Sequence, residues 1–229
     1  MHLNSKLLFE KYAKPLFKNH MRVLEIGPNQ HPSAYKQIVD NSTINWETID
    51  IFKSDKLTYI AENEYKFPIA DNTFDIVVSG QVIEHVKKIW VWIKELSRVC
   101  KVGGYVVTVN PVSWPYHEAP VDCWRIYPEG MKALYEEGNL TVQLSVAETL
   151  EVDVSRYIVP EHSQFFGSSN IGFRETLIKR LRGSSVLVPG SSYEPNYQGE
   201  TGYKSLISKF LGIPSSCSLD NITIGVKES

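Results

Sequence analysis

The segment from Asn110 to Arg125 contains side chains that could carry out proton transfer. Histidine changes charge near neutral pH, so His117 is a candidate general base, and Asp122 could orient it or bind a substrate. Trp124 and Arg125 offer an aromatic face and a cation to that substrate. In an alternative interpretation Asp122 and Arg125 form an internal ion pair, Trp124 belongs to the core and His117 caps the loop.

His85 is a second candidate for proton transfer, because it follows Glu84 at the predicted start of a helix. The pair Glu84-His85 could instead cap that helix. The spacing of His85, His117 and Asp122 matches no metal-ligand pattern, and the sequence lacks paired CxxC spacing. No metal is therefore expected.

A separate candidate site follows the apolar run Arg22–Ile26, where Glu25 precedes the turn Gly27-Pro28-Asn29. An acidic residue at a strand end, followed by a glycine turn, is typical of nucleoside binding at the carboxyl edge of a parallel sheet. Gly27 lets the backbone approach a ligand, and Asn29 can adopt a left-handed conformation. Glu25 could accept from an ammonium group or hold a basic network. The GxGxxG pattern is absent, which argues against NAD or FAD.

Hydrophobic patterning predicts the elements that position these residues. Short β-branched and aromatic runs alternate with helical patterns, which indicates a parallel sheet covered by helices. Strands are expected at residues 22–26, 45–51, 57–60, 73–79, 104–109, 140–146 and 222–226. Helices are expected at residues 3–20, after Glu84-His85 as far as Val99, and at residues 128–137.

The motifs resemble those of class I S-adenosylmethionine-dependent methyltransferases. The turn at Gly27 is similar to the E-x-G-P variant of the first family motif, and Asp50 stands where the family binds ribose hydroxyls. Segments Asn63–Asp75, Ser79–His85 and Glu95–Gly104 resemble the later motifs in the family's order. The resemblance implies an α/β, Rossmann-like class I fold: a mostly parallel seven-stranded sheet flanked by helices, with S-adenosylmethionine as cofactor.

The same resemblance implies a set of cofactor-binding residues. Asn63 stands where the family has an aspartate facing the adenine amino group, and its amide oxygen can still accept a hydrogen bond. Gly80 and Gln81 would face the methionine part. The set comprises Glu25, Gly27, Pro28, Asn29, Asp50, Ile51, Asn63, Glu64, Gly80 and Gln81.

Residues His117–Gly130 resemble a stretch of many bacterial methyltransferases of this class, including some associated with surface-glycan synthesis. Cys123 replaces the common tyrosine. The resemblance implies methylation of an oxygen on a sugar or glycan-linked acceptor, with His117, Asp122 and His85 as catalytic candidates and Trp124 and Arg125 as acceptor-binding ones. Open alternatives are a small-metabolite acceptor, a catalytically silent cofactor-binding regulatory module, and a nucleotide- or NAD-dependent enzyme on the same layout.

Composition limits the remaining possibilities. The 229 residues carry 24 Lys+Arg against 26 Asp+Glu, a formal net charge of -2, so nucleic acid is not the expected partner. Charged residues interrupt the first apolar stretch, so no signal peptide or membrane span is expected, and the odd cysteine count favours a reduced, cytoplasmic location. We expect one domain over residues 1–229, with acceptor-binding elements in 110–130 and 160–215. The basic residues between 174 and 182 are expected on a solvated face, and residues 184–202 in an exposed loop. Oligomeric state is not predicted.

Overall fold

The computed structural model describes residues 3–118, 120–150 and 218–228. Within them, seven strands form one sheet in the order β3-β2-β1-β4-β5-β7-β6. Strands β1 to β5 run parallel to one another, whereas β7 pairs antiparallel with both β5 and β6. The strands are β1 (Arg22–Ile26), β2 (Asn45–Asp50), β3 (Tyr59–Ile60), β4 (Phe74–Gly80), β5 (Cys100–Ser113), β6 (Leu140–Glu148) and β7 (Leu219–Lys227). The predicted mostly parallel, seven-stranded sheet is confirmed.

Helices cover both faces of the sheet. They are α1 (Leu3–Leu8), α2 (Ala34–Val39), α3 (Ile89–Val99) and α4 (Pro128–Glu137). One core cluster packs α3 and α4 on the sheet through residues such as Leu96 and Tyr135, and the other packs α1 and α2 through residues such as Leu8 and Tyr35. The flanking helices that the alternating pattern predicts are therefore present.

Several element boundaries differ from the sequence-based expectation. The helix expected over residues 3–20 continues from α1 as a π-helical turn, Phe9–Ala13, and ends in a 3-10 turn, Lys14–Leu16, because Pro15 has no amide hydrogen for a regular helix. Residues Ile83–His85 form a separate 3-10 turn before α3. Strand β5 extends well beyond residues 104–109, since it pairs with β4 on one side and β7 on the other.

The sheet reverses its strand order between β1 and β4. In open α/β sheets, the loops at the carboxyl ends of the strands form a crevice at such a reversal. The glycine turn after β1 and the turn Ile83–His85 after β4 both lie at this edge. The fold therefore brings the two candidate sites of the sequence analysis to one place.

Some predictions concern residues outside the described part of the chain. These are the acceptor-binding elements at 160–215, the basic residues between 174 and 182, and the loop at 184–202. Among the described helices, none is both long enough and apolar enough to cross a membrane.

Candidate functional site

A cavity of about 490 Å³ opens at the carboxyl ends of β1, β2 and β4. This volume lies in the range of small-molecule sites, roughly 300–1,000 Å³. Its polar and charged lining residues are Asp50, Glu64, Gln81, His85 and Lys87. Its remaining lining residues are Ile26, Gly27, Ile49, Ile51, Phe52, Ala61, Phe67, Val82, Val86, Trp92, Pro120 and Val121. A few polar groups on a mostly apolar wall are typical of a cofactor or substrate site.

Gly27 forms the turn that opens the cavity after β1. Its φ is +63°, and a Cβ atom at this position would lie 2.6 Å from Cγ2 of Val82. Its amide donates to the carbonyl oxygen of Ile49 at 2.9 Å, which ties the turn to β2. Asn29 does not adopt the left-handed conformation that its residue type allows, and Gly27 has the positive φ of this turn.

Asp50 is placed at the end of β2 with its carboxylate at the cavity. Its Oδ1 accepts from the amide of Phe52 at 3.0 Å, and within the described residues Oδ2 has no hydrogen-bond partner. The side chains of Ile51 and Phe52 continue the wall and are 39% and 61% exposed. An acidic acceptor therefore stands beside an apolar rim.

Of the neighbours Asn63 and Glu64, one lines the cavity and the other does not. Glu64 lines the cavity. Asn63 is exposed and does not line it, and its Oδ1 accepts from the amide of Tyr65 at 2.9 Å. Asn63 therefore shapes the local turn.

Glu25 is buried beneath the turn and does not line the cavity. Its Oε2 accepts from the hydroxyl of Ser33 and, at 2.8 Å, from Nε1 of Trp46. Burial raises the pKa of Glu25 to about 7, although these two hydrogen bonds act to lower it. The Glu25 carboxylate therefore supports the turn from inside the protein. Pro28 and Asn29 do not line the cavity either.

Gly80 and Gln81 end β4 and have separate roles. A Cβ atom on Gly80 would lie 2.1 Å from the hydroxyl oxygen of Tyr35, so Gly80 permits close packing and does not line the cavity. Gln81 lines it with a φ of 58°. The side-chain nitrogen Nε2 of Gln81 donates to Oγ of Ser5 at 2.7 Å and to Oδ1 of Asp220 at 3.1 Å. These hydrogen bonds link the site to α1 and β7.

The loop after β5, described at residues 114–118 and 120–127, is held against the turn Ile83–His85 by three hydrogen bonds. The amide of Cys123 donates to the carbonyl oxygen of Glu84 at 2.7 Å, and Nε1 of Trp124 donates to that of Val86 at 2.8 Å. Nδ1 of His85 lies 2.5 Å from the carbonyl oxygen of Val121, which can only accept, so Nδ1 carries the hydrogen. Trp124 thus anchors the loop.

Asp122 and Arg125 form the internal ion pair that the sequence left as an alternative. The Arg125 guanidinium binds both carboxylate oxygens at 2.5 and 2.6 Å, and the Asp122 side chain is 2% exposed. Burial acts to raise the pKa of Asp122, but the hydrogen bonds from Arg125 and from the His117 amide outweigh it and lower the pKa. The Asp122 Oδ2 accepts from that amide at 2.8 Å and lies 3.4 Å from Nδ1 of His117.

Glu84 is a site residue that the sequence analysis treated only as a helix cap. It is 1% exposed, and among the described residues neither carboxylate oxygen has a hydrogen-bond partner. Burial raises the pKa of Glu84 to about 8. Its Oε1 lies 3.8 Å from Nε2 of His85, whose ring meets that of His117 edge-on with centroids 5.0 Å apart. The only sequence signal was the adjacency of Glu84 and His85.

Comparisons with known proteins identify similar sequences and folds. A family model described as a methyltransferase domain matches residues 10–108. A segment of 60 residues is 42% identical to an uncharacterized methyltransferase of Schizosaccharomyces pombe, and it covers 26% of this chain but only 22% of that protein.

Two solved structures share the fold. A SAM dependent methyltransferase from Archaeoglobus fulgidus is 14% identical, with a TM-score of 0.55 over 97% of this chain and 92% of that one. Phosphoethanolamine N-methyltransferase 2 of Haemonchus contortus, solved with S-adenosyl-L-methionine, is 16% identical, with a TM-score of 0.53 over 99% of this chain and 53% of that one.

Proposed function

We propose that this chain, which has the class I methyltransferase fold and a methyltransferase domain at residues 10–108, transfers the methyl group of S-adenosylmethionine to an oxygen of a sugar or glycan-linked acceptor. The enzyme class and the cofactor are those that the family match and the fold support. The observation that carries the proposal is the position of His85, which lines the cavity and contacts the ring of His117 outside it.

The polar groups and the apolar walls of the cavity suit S-adenosylmethionine. The Oδ2 of Asp50 is available to accept from a ribose hydroxyl, and Ile51 and Phe52 provide apolar surface for an adenine ring. Glu64 and Gln81, which also line the cavity, would hold it as well. The bound cofactor supplies an electrophilic methyl group on a positively charged sulfur.

The residues of this chain then have two tasks, which are to align the acceptor oxygen and to remove its proton. Alignment contributes up to roughly 7–11 kcal/mol in well-oriented reactions, and a general base contributes about 10²–10⁴-fold. His85 donates through Nδ1 to Val121, so its Nε2 is the basic nitrogen. Asp122 fixes the backbone of His117, and Arg125 fixes Asp122, which makes these two positioning residues.

The sugar acceptor is supported by the loop beside the cavity. Exposed aromatic rings suit the apolar faces of sugars, and Tyr116 and Tyr127 are 70% and 54% exposed here. Resemblance of His117–Gly130 to methyltransferases associated with glycan synthesis favours the same class. A small-metabolite acceptor and a catalytically silent regulatory module are the competing possibilities, because a fold does not define a substrate. A non-nucleic-acid acceptor and a cytoplasmic location are parts of the proposal.

Calorimetric titration with S-adenosylhomocysteine, with NADH as the control ligand, tests the cofactor assignment. Binding of the first ligand alone supports it, and binding of neither contradicts it. Labelled methyl donor should then be incubated with nucleotide sugars and, separately, with small alcohols and amines. Label on a sugar supports the acceptor class; label on amines alone, or on nothing despite tight cofactor binding, contradicts it.

A further inference from the structure

Glu84, His85 and His117 form a cluster of three metal-binding side chains beside the cavity. Each offers one ligand atom, and these atoms all lie within 4.8 Å of one another. We propose that this cluster binds a divalent first-row transition-metal ion, and that the ion binds the oxygen of the acceptor. The metal site itself is independent of the proposed function, whereas its role toward the acceptor depends on it.

The distances within the cluster are close to those of a bound metal. Zinc lies about 2.0–2.2 Å from imidazole nitrogen or carboxylate oxygen, so its ligand atoms are roughly 3–4 Å apart. The distance from Oε1 of Glu84 to Nε2 of His85 is already 3.8 Å. His117 belongs to a loop and is about one-third exposed, so a small shift of its side chain would complete the set.

One nitrogen of each imidazole ring makes the kind of contact that histidine ligands make in metal sites. A histidine ligand usually donates from its second nitrogen to a carbonyl or carboxylate, which fixes the ring and its tautomer. Nδ1 of His85 donates to the carbonyl oxygen of Val121, and Nδ1 of His117 lies 3.2 Å from that of Pro115. These contacts leave Nε2 of each ring as the basic nitrogen.

Glu84 provides an independent reason to place a cation here. Its carboxylate is 1% exposed, and no described residue donates a hydrogen bond to either oxygen. A buried polar group without a partner is costly and unusual in a folded protein. The guanidinium of Arg125, on the loop that packs against Glu84, is held in the bidentate pair with Asp122. A metal ion would displace the proton of this group and supply the partner that its two oxygens lack.

The ligand chemistry narrows the metal. Two imidazole nitrogens and one carboxylate oxygen suit zinc, manganese, iron or cobalt ions, and three protein ligands leave coordination positions open. Because His85 also lines the cavity, an open position would be near a ligand bound there. No metal is expected from the sequence, since spacing along the chain cannot show that the loop after β5 brings His117 to Glu84.

An ion in this site would act on the acceptor hydroxyl in place of His85, because Nε2 of His85 would then bind the ion and could not accept the proton. Coordination to a metal lowers the pKa of a bound water or hydroxyl, so its proton is lost more readily. The oxygen forms its bond to the methyl carbon while the bond from that carbon to sulfur breaks. The electron pair of the broken bond stays on sulfur, and the hydroxyl proton passes to solvent.

Cobalt binding tests the proposal without cofactor or acceptor. Purified full-length protein without an affinity tag is treated with a chelator, dialysed and titrated with Co²⁺, whose visible absorption reports nitrogen and oxygen coordination. We expect one ion per chain and at least tenfold weaker binding in His117→Gln and in Glu84→Gln. His20→Gln, an exposed histidine remote in sequence from the cluster, is the matched control and should bind as wild type.

Failure of wild type to bind Co²⁺, Zn²⁺ or Mn²⁺, or unchanged binding in folded His117→Gln, overturns the proposal. The His117 side chain is about one-third exposed, so we expect His117→Gln to fold. His117→Gln therefore remains informative even where Glu84→Gln fails to fold. Metal binding without any methyl transfer would keep the site and contradict the proposed function. Methyl transfer by a protein that binds no metal would support the proposed function and contradict the metal site.

Discussion

The hydroxyl of Tyr35 lies against the backbone of Gly80, where a Cβ atom would come within 2.1 Å of its oxygen. The clash is with a fully buried aromatic ring that also stacks on Phe9. We expect Gly80→Ala to lower the free energy of unfolding by about 1–3 kcal/mol, the usual range for overpacking. Urea denaturation of wild type and variant measures this difference.

Tyr35→Phe is the partner of that substitution. The hydroxyl of Tyr35 has no hydrogen-bond partner among the described residues. Its removal should therefore leave the free energy of unfolding nearly unchanged or raise it. Combined with Tyr35→Phe, Gly80→Ala should cost less than it does alone, because the closest atom is gone. Additive effects in this double-mutant cycle would contradict a contribution of the hydroxyl and leave the clash to the ring carbons, which lie 2.5 and 2.7 Å from the Cβ position.

Glu25 should make the protein less stable as the pH rises. A carboxyl group in an unfolded chain titrates near pH 4.3, whereas burial raises the pKa of Glu25 in the folded protein to about 7. The native state therefore binds more protons between these values. The favourable contribution is complete below pH 4.3 and lost as the pH rises through 7, a change of roughly 4 kcal/mol.

Glu25→Gln removes the titrating proton and keeps an oxygen that can accept from Trp46. Urea denaturation at pH 5 and pH 8, with chelator present, should show a smaller loss of stability in the variant than in wild type. Glu84, whose pKa is also raised, titrates in both proteins, so the difference between them isolates Glu25. Parallel pH profiles would mean that Glu25 is charged in the native state throughout this range.

Much of the fold could be predicted from the sequence, because buried parallel strands are short apolar runs between turns. The composition of the site was harder to predict. Glu25 and Gly80 stand where a family motif binds cofactor, yet one is hydrogen-bonded inside the protein and the other packs on Tyr35. Motifs show which residues are near a site, but only packing decides which side chains reach it. Glu84 was missed as a site residue because its burial depends on a loop distant in sequence.

Asp50→Ala should weaken the binding of S-adenosylhomocysteine by more than tenfold, or about 1.4 kcal/mol. The reason is the loss of the carboxylate oxygen that is available to a ribose hydroxyl at the cavity. Asp55→Ala is the matched control, because Asp55 is exposed and does not line the cavity. Equal affinity of wild type and folded Asp50→Ala in a calorimetric titration would contradict the assignment of this cavity to the cofactor.

His117→Ala should separate cofactor binding from methyl transfer. His117 does not line the cavity, so the variant should bind S-adenosylhomocysteine as wild type does. Its methyl transfer should nevertheless be slower by about 10²-fold or more, because the ring is lost from the pair that it forms with His85. His85→Ala should impair both properties, since His85 contacts His117 and also lines the cavity. Steady-state rates with labelled methyl donor, compared with His20→Ala, decide between these outcomes. Full activity of His117→Ala would show that His85 needs no contact with the His117 ring and would remove His117 from the chemistry.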